Sequence, residues 1–239
     1  MNNDAEARKT SEGMTGRQLA QLVDISAVQA SNTEQDVREL VGYAKRFGFK
    51  AVHTLPTWTS LVAELLLDRP DILTGAPAGF PSGGSVLDTK VGEAQRLLRD
   101  GVDELDLMIS VGRLRTGHVE YVEQEVRSVV QVAGSIPVKV ILEVAYLSED
   151  EVKRGCECAI YGGAAFVKTG TGWADRPSTI AMVRTIRDFV GDAIRVKAAG
   201  GIRTVETIRE MLQIGVSRFG INTAVAVDLV EELSGQGET

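Results

Sequence analysis

Short apolar runs alternate with longer amphipathic stretches along this chain, from about residue 22 to residue 222. The clearest amphipathic stretch begins at Thr33, where Val37, Leu40, Val41, Ala44 and Phe47 recur at helical spacing. Thr33 and Asp36 have the spacing of a capping pair, and Gly48 supplies the stop. A second helix starts at Thr204, carries Ile208, Met211 and Leu212 on one face, and ends at Gly215. Gly101, Gly162 and Gly191 punctuate the chain in the same way, each shortly before an apolar run.

Eight runs read as strands: residues 22–26, 51–55, 72–77, 104–110, 138–144, 165–169, 194–199 and 218–222. A helical pattern follows each, and parallel strands require such crossovers. Eight units in about 215 residues predict a single-domain α/β fold, a (β/α)8 TIM barrel over residues 17–235. A doubly wound open sheet is the alternative, but no G-x-G-x-x-G follows the first strand. Residues 1–16 read as a polar, mobile segment and 236–239 as a short tail.

Composition narrows the function. A net charge of -7 and 5% aromatic content argue against a nucleic-acid surface. They leave room for a small anionic substrate, because a pocket can be positive on an acidic protein. No apolar run approaches the roughly 18 residues of a membrane span, and the first residues lack a signal peptide's apolar core. The expected location is cytoplasmic. Cys156 and Cys158 diverge on a helix and read as packing residues. With His53 and His118 as the only histidines, no zinc cluster is expected. Amphipathic interface helices look like any others, so a homo-oligomer stays open.

In a barrel of this kind the active site lies at the C-terminal strand ends. That position holds Asp24 and Ser26, His53 and Thr54, Asp106 and Ser110, Glu143, Lys168, Lys197 and Asn222. Charges inside a barrel are costly unless paired or used. Lys139, Lys168 and Lys197 recur at intervals of 29 residues. Lys139 comes early in its strand and reads as a structural ion pair. Lys168 and Lys197 come later, on adjacent strands, where like charge and burial favour the free amine. A free amine can attack a carbonyl and form a Schiff base, with Asp106 handling protons. A buried Lys–Asp–Lys network without chemistry fits the same spacing. Gly200 and Gly201 end the seventh strand, where loop amides and a helix N-terminus can hold a phosphate.

The segments "FVKTGTG", "VKAAGGIRT", "ELDLMISVGRL", "PVKVILE" and "GFPSG" together resemble the deoxyribose-phosphate aldolase family, over about Gln18 to Val227. The resemblance implies a class I aldolase with no metal and no organic cofactor. It would cleave 2-deoxy-D-ribose 5-phosphate to D-glyceraldehyde 3-phosphate and acetaldehyde. Lys168 would be the Schiff-base lysine, Lys197 would lower its pKa, and Asp106 would activate the proton-shuttling water. Substrate contacts would come from Asp24, Ser26, Thr169, Gly200, Gly201, Asn222 and Thr223.

The chain departs from the family pattern at Ile25, His53, Leu55, Asn222 and Trp173. These changes motivate a second reading, a relative with the same lysine chemistry and another sugar, modified or unphosphorylated. A third reading is a phosphometabolite-binding barrel without catalysis.

Overall fold

The computed structural model describes residues 13–235. Most of the polar N-terminal segment and the 236–239 tail lie outside that range. Of the segment's last residues, Met14 is buried and Thr15 caps the first helix.

The elements follow the expected alternation: α1 (Gly16–Ala20), β1 (Val23–Ala27), α2 (Glu34–Phe47), β2 (Ala51–Thr54), α3 (Thr59–Leu65), β3 (Leu73–Ala78), α4 (Leu87–Arg99), β4 (Glu104–Met108), α5 (Val111–Arg115), α6 (Val119–Ala133), β5 (Val138–Ile141), α7 (Glu149–Tyr161), β6 (Phe166–Lys168), α8 (Ile180–Val190), β7 (Arg195–Ala199), α9 (Val205–Ile214), β8 (Arg218–Asn222) and α10 (Thr223–Gly235). The eight strands pair in parallel and in chain order, and β8 returns to β1 to close the barrel. The TIM barrel is therefore the architecture, and the open sheet is excluded.

Local chemistry sets the helix ends. The Thr33 hydroxyl accepts from the Asp36 amide while the Asp36 carboxylate accepts from the Thr33 amide, a full capping box, and Gly48 closes the helix. At α9 the Thr204 hydroxyl accepts from the Thr207 amide without a reciprocal side-chain bond, and Gly215 closes the helix. Residues 109–110 and 142–144 leave the ladder earlier than their apolar character suggests, because the chain turns there into α5 and a short 3₁₀ turn.

Alternation along each strand divides two compartments. One set of side chains packs outward under the helices: Ile25, Val52, Leu105, Val140, Val167, Val196 and Phe219 are all buried there. The other set faces the axis, and in this barrel much of it is charged. Cys156 and Cys158 are buried free thiols in α7, and burial first of all pushes each up to about 12.

Candidate active site

Seven charged side chains and one imidazole meet inside the barrel. Lys168 donates to Asp106 Oδ2 at 2.6 Å, and Lys197 lies 3.6 Å from the same oxygen. Lys197 also pairs with Asp24 Oδ2 at 2.6 Å. Nearer the N-terminal strand ends, Arg218 reaches Asp24 Oδ1 at 3.1 Å and Glu104 Oε2 at 2.7 Å. Lys139 binds Glu104 Oε1 and lies 3.6 Å from Asp106 Oδ1. Register explains the convergence: β6 and β7 set Lys168 directly beside Lys197, and β4 and β5 set Asp106 beside Lys139. Lys139 thus occupies a fully buried ion pair, as its early strand position predicts.

Three carboxylates (Asp24, Glu104, Asp106) face four basic groups (Lys139, Lys168, Lys197, Arg218). A buried cluster holds an unmatched charge only at high cost, so the balance favours loss of one proton. Arginine does not supply it. Burial works to lower Lys197, but Asp106, Asp24 and Glu104 outweigh it and hold that ammonium above its ordinary value. Lys168 goes the other way. Burial pulls it down, Asp106 opposes, and the Lys197 and Lys139 charges add to the lowering. The carboxylates are all depressed although burial alone would raise them. Lys197 chiefly overcomes burial at Asp24, Lys168 and then Lys197 at Asp106, and Lys139 at Glu104, which falls to about 2.

A cavity of about 490 Å³ opens above this cluster at the C-terminal face. Asp24, Ser26, Asp106, Lys168, Lys197, Gly200, Gly201 and Asn222 all line it, so the structure gathers eight of the ten predicted site residues in one space. Gly200 and Gly201 adopt φ of 96° and 83°, and a Cβ on Gly201 would lie 2.2 Å from Pro177. Only glycine allows that turn, which brings backbone amides to the cavity wall.

Thr169 and Thr223 lie elsewhere. Thr169 follows Lys168 and so points to the other face. Its hydroxyl is fully buried, donating to the Ala199 carbonyl and accepting from the Ala199 amide. Thr223 follows Asn222, donates to the Ser26 carbonyl at 3.3 Å, and lines a neighbouring cavity of about 420 Å³.

His53, near the end of β2, is buried and lines the main cavity. Its Nε2 lies 2.9 Å from Glu104 Oε1 and 3.5 Å from Asp24 Oδ2. Since ionised Glu104 can only accept, Nε2 carries the hydrogen, and Nδ1 faces Asp106 Oδ2 at 3.8 Å. The ring lies across Gly75, its register partner on β3, where a Cβ would come within 2.2 Å of it. A glycine inside the strand "ILTGAP" was the available signal for a close approach. Glu104, two residues before Asp106 and so on the same face, was also legible. Arg203 at the cavity wall and Arg218 in the ion cluster carried no local signal. Ser110 and Glu143 do not line the cavity.

Asp24, His53 and Glu104 each present a ligand atom, all within 4.8 Å of one another. Lys197, Arg218 and Lys139 already bind those carboxylates, and a divalent ion there would meet cations at contact range.

Comparison with known proteins sets this site in a family. A model described as "Histidine biosynthesis protein" matches only residues 169–236. The deoxyribose-phosphate aldolase of Rhizobium meliloti (strain 1021) is 47% identical over 232 residues, covering 97% of this chain and 94% of the relative. The enzyme of that name from Klebsiella pneumoniae (subsp. pneumoniae, strain ATCC 700721 / MGH 78578) is 42% identical over 221 residues, covering 92% and 89%. Among solved structures, an aldolase named QR15 aligns with TM-score 0.86 at 30% identity, covering 92% of this chain and 97% of its own. The deoxyribose phosphate aldolase of Aeropyrum pernix, described as tetrameric, aligns at 0.85 with 27% identity, covering 97% and 98%. With identity of this order over nearly the whole of both chains, and a barrel of the same form, the chain belongs to the deoxyribose-phosphate aldolase family and is a carbon–carbon lyase.

Proposed function

We propose that this enzyme reversibly cleaves 2-deoxy-D-ribose 5-phosphate to D-glyceraldehyde 3-phosphate and acetaldehyde through a Schiff base on Lys168. The carrying observation is the charge imbalance: four basic groups against three carboxylates, with Lys168, the lysine whose ammonium is lowered, lining the cavity. The neutral Lys168 amine adds to the sugar's C1 aldehyde, giving a carbinolamine. Asp106, 2.6 Å from Nζ, is placed to pass the ammonium proton to the carbinolamine oxygen, directly or by a water, and water then leaves. The resulting iminium draws in the C2–C3 bonding electrons as the C3 hydroxyl loses its proton. Glyceraldehyde 3-phosphate departs, the enamine is protonated at C2, and hydrolysis returns acetaldehyde and the free amine. Lys197, held protonated by Asp24 and Asp106, keeps positive charge beside Lys168 throughout. Gly200, Gly201, Asn222 and the start of α10 would receive the phosphate, with Arg203 adding positive charge at the cavity wall.

The direct test is reduction with borohydride in the presence of acetaldehyde, followed by peptide mapping. The expected product is an ethyl adduct on Lys168. Its absence, or its appearance on another lysine, overturns the mechanism.

One observation favours the second reading, an unphosphorylated or modified sugar: Thr223 is turned out of the cavity and Asn222 remains at the anion end. Of the five departures from the family pattern, only His53 and Asn222 line the cavity, while Ile25 packs outside the barrel. Steady-state rates on phosphorylated and free deoxyribose decide the matter. A strong preference for the free sugar would remove the phosphate assignment.

A further inference from the structure

Glu143 takes no part in the chemistry above, yet both its backbone and its carboxylate are constrained at the barrel mouth. Among the described residues it is the only non-glycine at positive φ, 55°, a conformation that carries backbone strain. Its carboxylate is buried, and no basic side chain among the described residues pairs with it. Both features are unfavourable, and glycine with a neutral acceptor nearby would avoid them.

What the carboxylate holds is the loop after β6. Oε2 accepts from the Thr171 amide at 3.1 Å and from the Thr171 hydroxyl. Oε1 lies where a Cβ on Gly170 would come within 2.6 Å, so the loop backbone rests against it. Thr171 has one hydroxyl hydrogen, given to Glu143, and its oxygen then accepts from the Trp173 amide at 2.9 Å. The order Glu143, Thr171, Trp173 is thus directional. Arg176 ties the same loop to the Ala145 carbonyl.

Trp173 in turn meets Phe80 edge-on, centroids 6.0 Å apart at 90°. Phe80 follows β3 and Trp173 follows β6, strands that are not neighbours in the barrel. Their contact therefore spans the mouth past the ends of β4 and β5, which carry Asp106 and Lys139. Phe80 lines the cavity, while Trp173 meets Phe80 from outside that lining and is 41% exposed.

We propose that Glu143 is a positioning residue that sets substrate specificity: through Thr171 it fixes Trp173 against Phe80, and this aromatic bridge limits the size and shape of the aldehyde admitted beside Lys168. The inference rests on Lys168 as the reacting amine.

The experiment uses a Trp58→Phe parent, leaving Trp173 as the sole tryptophan. Glu143→Ala, Glu143→Gln, Thr171→Val and Trp173→Ala are compared with it in Trp173 emission, quencher access, and kcat and KM for acetaldehyde addition to small and bulky acceptor aldehydes. Trp173 is already 41% exposed, so Glu143→Ala and Thr171→Val are expected to raise its quencher access further and to shift selectivity towards bulky acceptors by about tenfold, the scale on which an apolar wall discriminates. The change should lie mainly in KM. Trp173→Ala should give the same shift, Glu143→Gln a smaller one, and Glu143→Ala with Trp173→Ala no more than either alone. Parental emission and selectivity in folded Glu143→Gln and Thr171→Val would overturn the proposal, as would unaltered selectivity in Trp173→Ala. Should Glu143→Ala not fold, those three variants still decide. Borohydride trapping on each variant separates this outcome from failure of the Schiff-base reading, since Trp173 emission responds whether or not Lys168 forms an adduct.

Discussion

Two buried lysines, Lys90 and Lys168, differ in what surrounds them. Burial is the first cause of a lowered ammonium at both, and a carboxylate opposes it at both. Lys90, on α4, donates to Glu125 of α6 at 2.8 Å, outside the barrel. Glu125 also accepts from the Ser110 hydroxyl at 2.5 Å and from its amide at 2.9 Å, so both of its oxygens are hydrogen-bonded. There, one cation matches one carboxylate. Lys168 lies in a cluster with one basic group more than its carboxylates can match, and it faces a cavity of about 490 Å³. A lowered ammonium is thus common to an inert pair and a reactive centre. Charge imbalance and room for a carbonyl distinguish them.

Substitution at each lysine separates the two roles. Lys168→Ala is expected to lower turnover by about 10⁶-fold, the scale for loss of an enzyme nucleophile, with an unchanged circular dichroism spectrum. Near-parental turnover would place the chemistry elsewhere. Lys90→Met should do the reverse. Turnover of the folded protein stays, while stability to urea falls by about 3–5 kcal/mol because Glu125 is left buried and unpaired. Adding Glu125→Leu should restore much of it, and loss of activity without loss of stability would contradict the assignment.

Lys197→Leu sharpens the charge side. It removes a positive neighbour, so the Lys168 pKa rises and less free amine exists at neutral pH. The acidic limb of the kcat/KM profile should move to higher pH, and an unmoved limb would remove Lys197 from that role. Gly75→Ala presses on the imidazole with a predicted cost of about 1–3 kcal/mol for overpacking, which His53→Ala should relieve. Additive costs in the double variant would mean that the two residues do not touch.

Acid should weaken the barrel through its carboxylates. Asp24, Glu104 and Asp106 have folded pKa values below their ordinary ones, so their contribution is complete above about 4.5 and is lost as pH falls through the folded values, about 2 for Glu104. Urea midpoints at pH 6, 4 and 3 check this, and a flat series would argue against the ion network as a source of stability.

Much of the site was legible because strand alternation has period two. Asp24 with Ser26, and Glu104 with Asp106, share a face for that reason, while Thr169 and Thr223 turn away from neighbours that do line the cavity. Alternation says inward or outward but not how high in the barrel, and it says nothing about partners. Arg218 meets Glu104 across 114 positions of sequence, and only barrel closure, with Asp24 beside Gly220, brings β8 to that point. Glu143 reads as one more strand-end acid until its left-handed backbone and its hold on Thr171 are seen.

The sequence by itself determined the eightfold alternation, the helix caps and the two late-strand lysines with their upstream aspartate, because periodicity, capping and strand position are local properties. Tertiary structure decided which lysine is matched and which is in surplus, where the imidazole points, and what braces the mouth. Those outcomes depend on distances between strands far apart in the chain, and a buried proton is held or released by the summed charge of all of them.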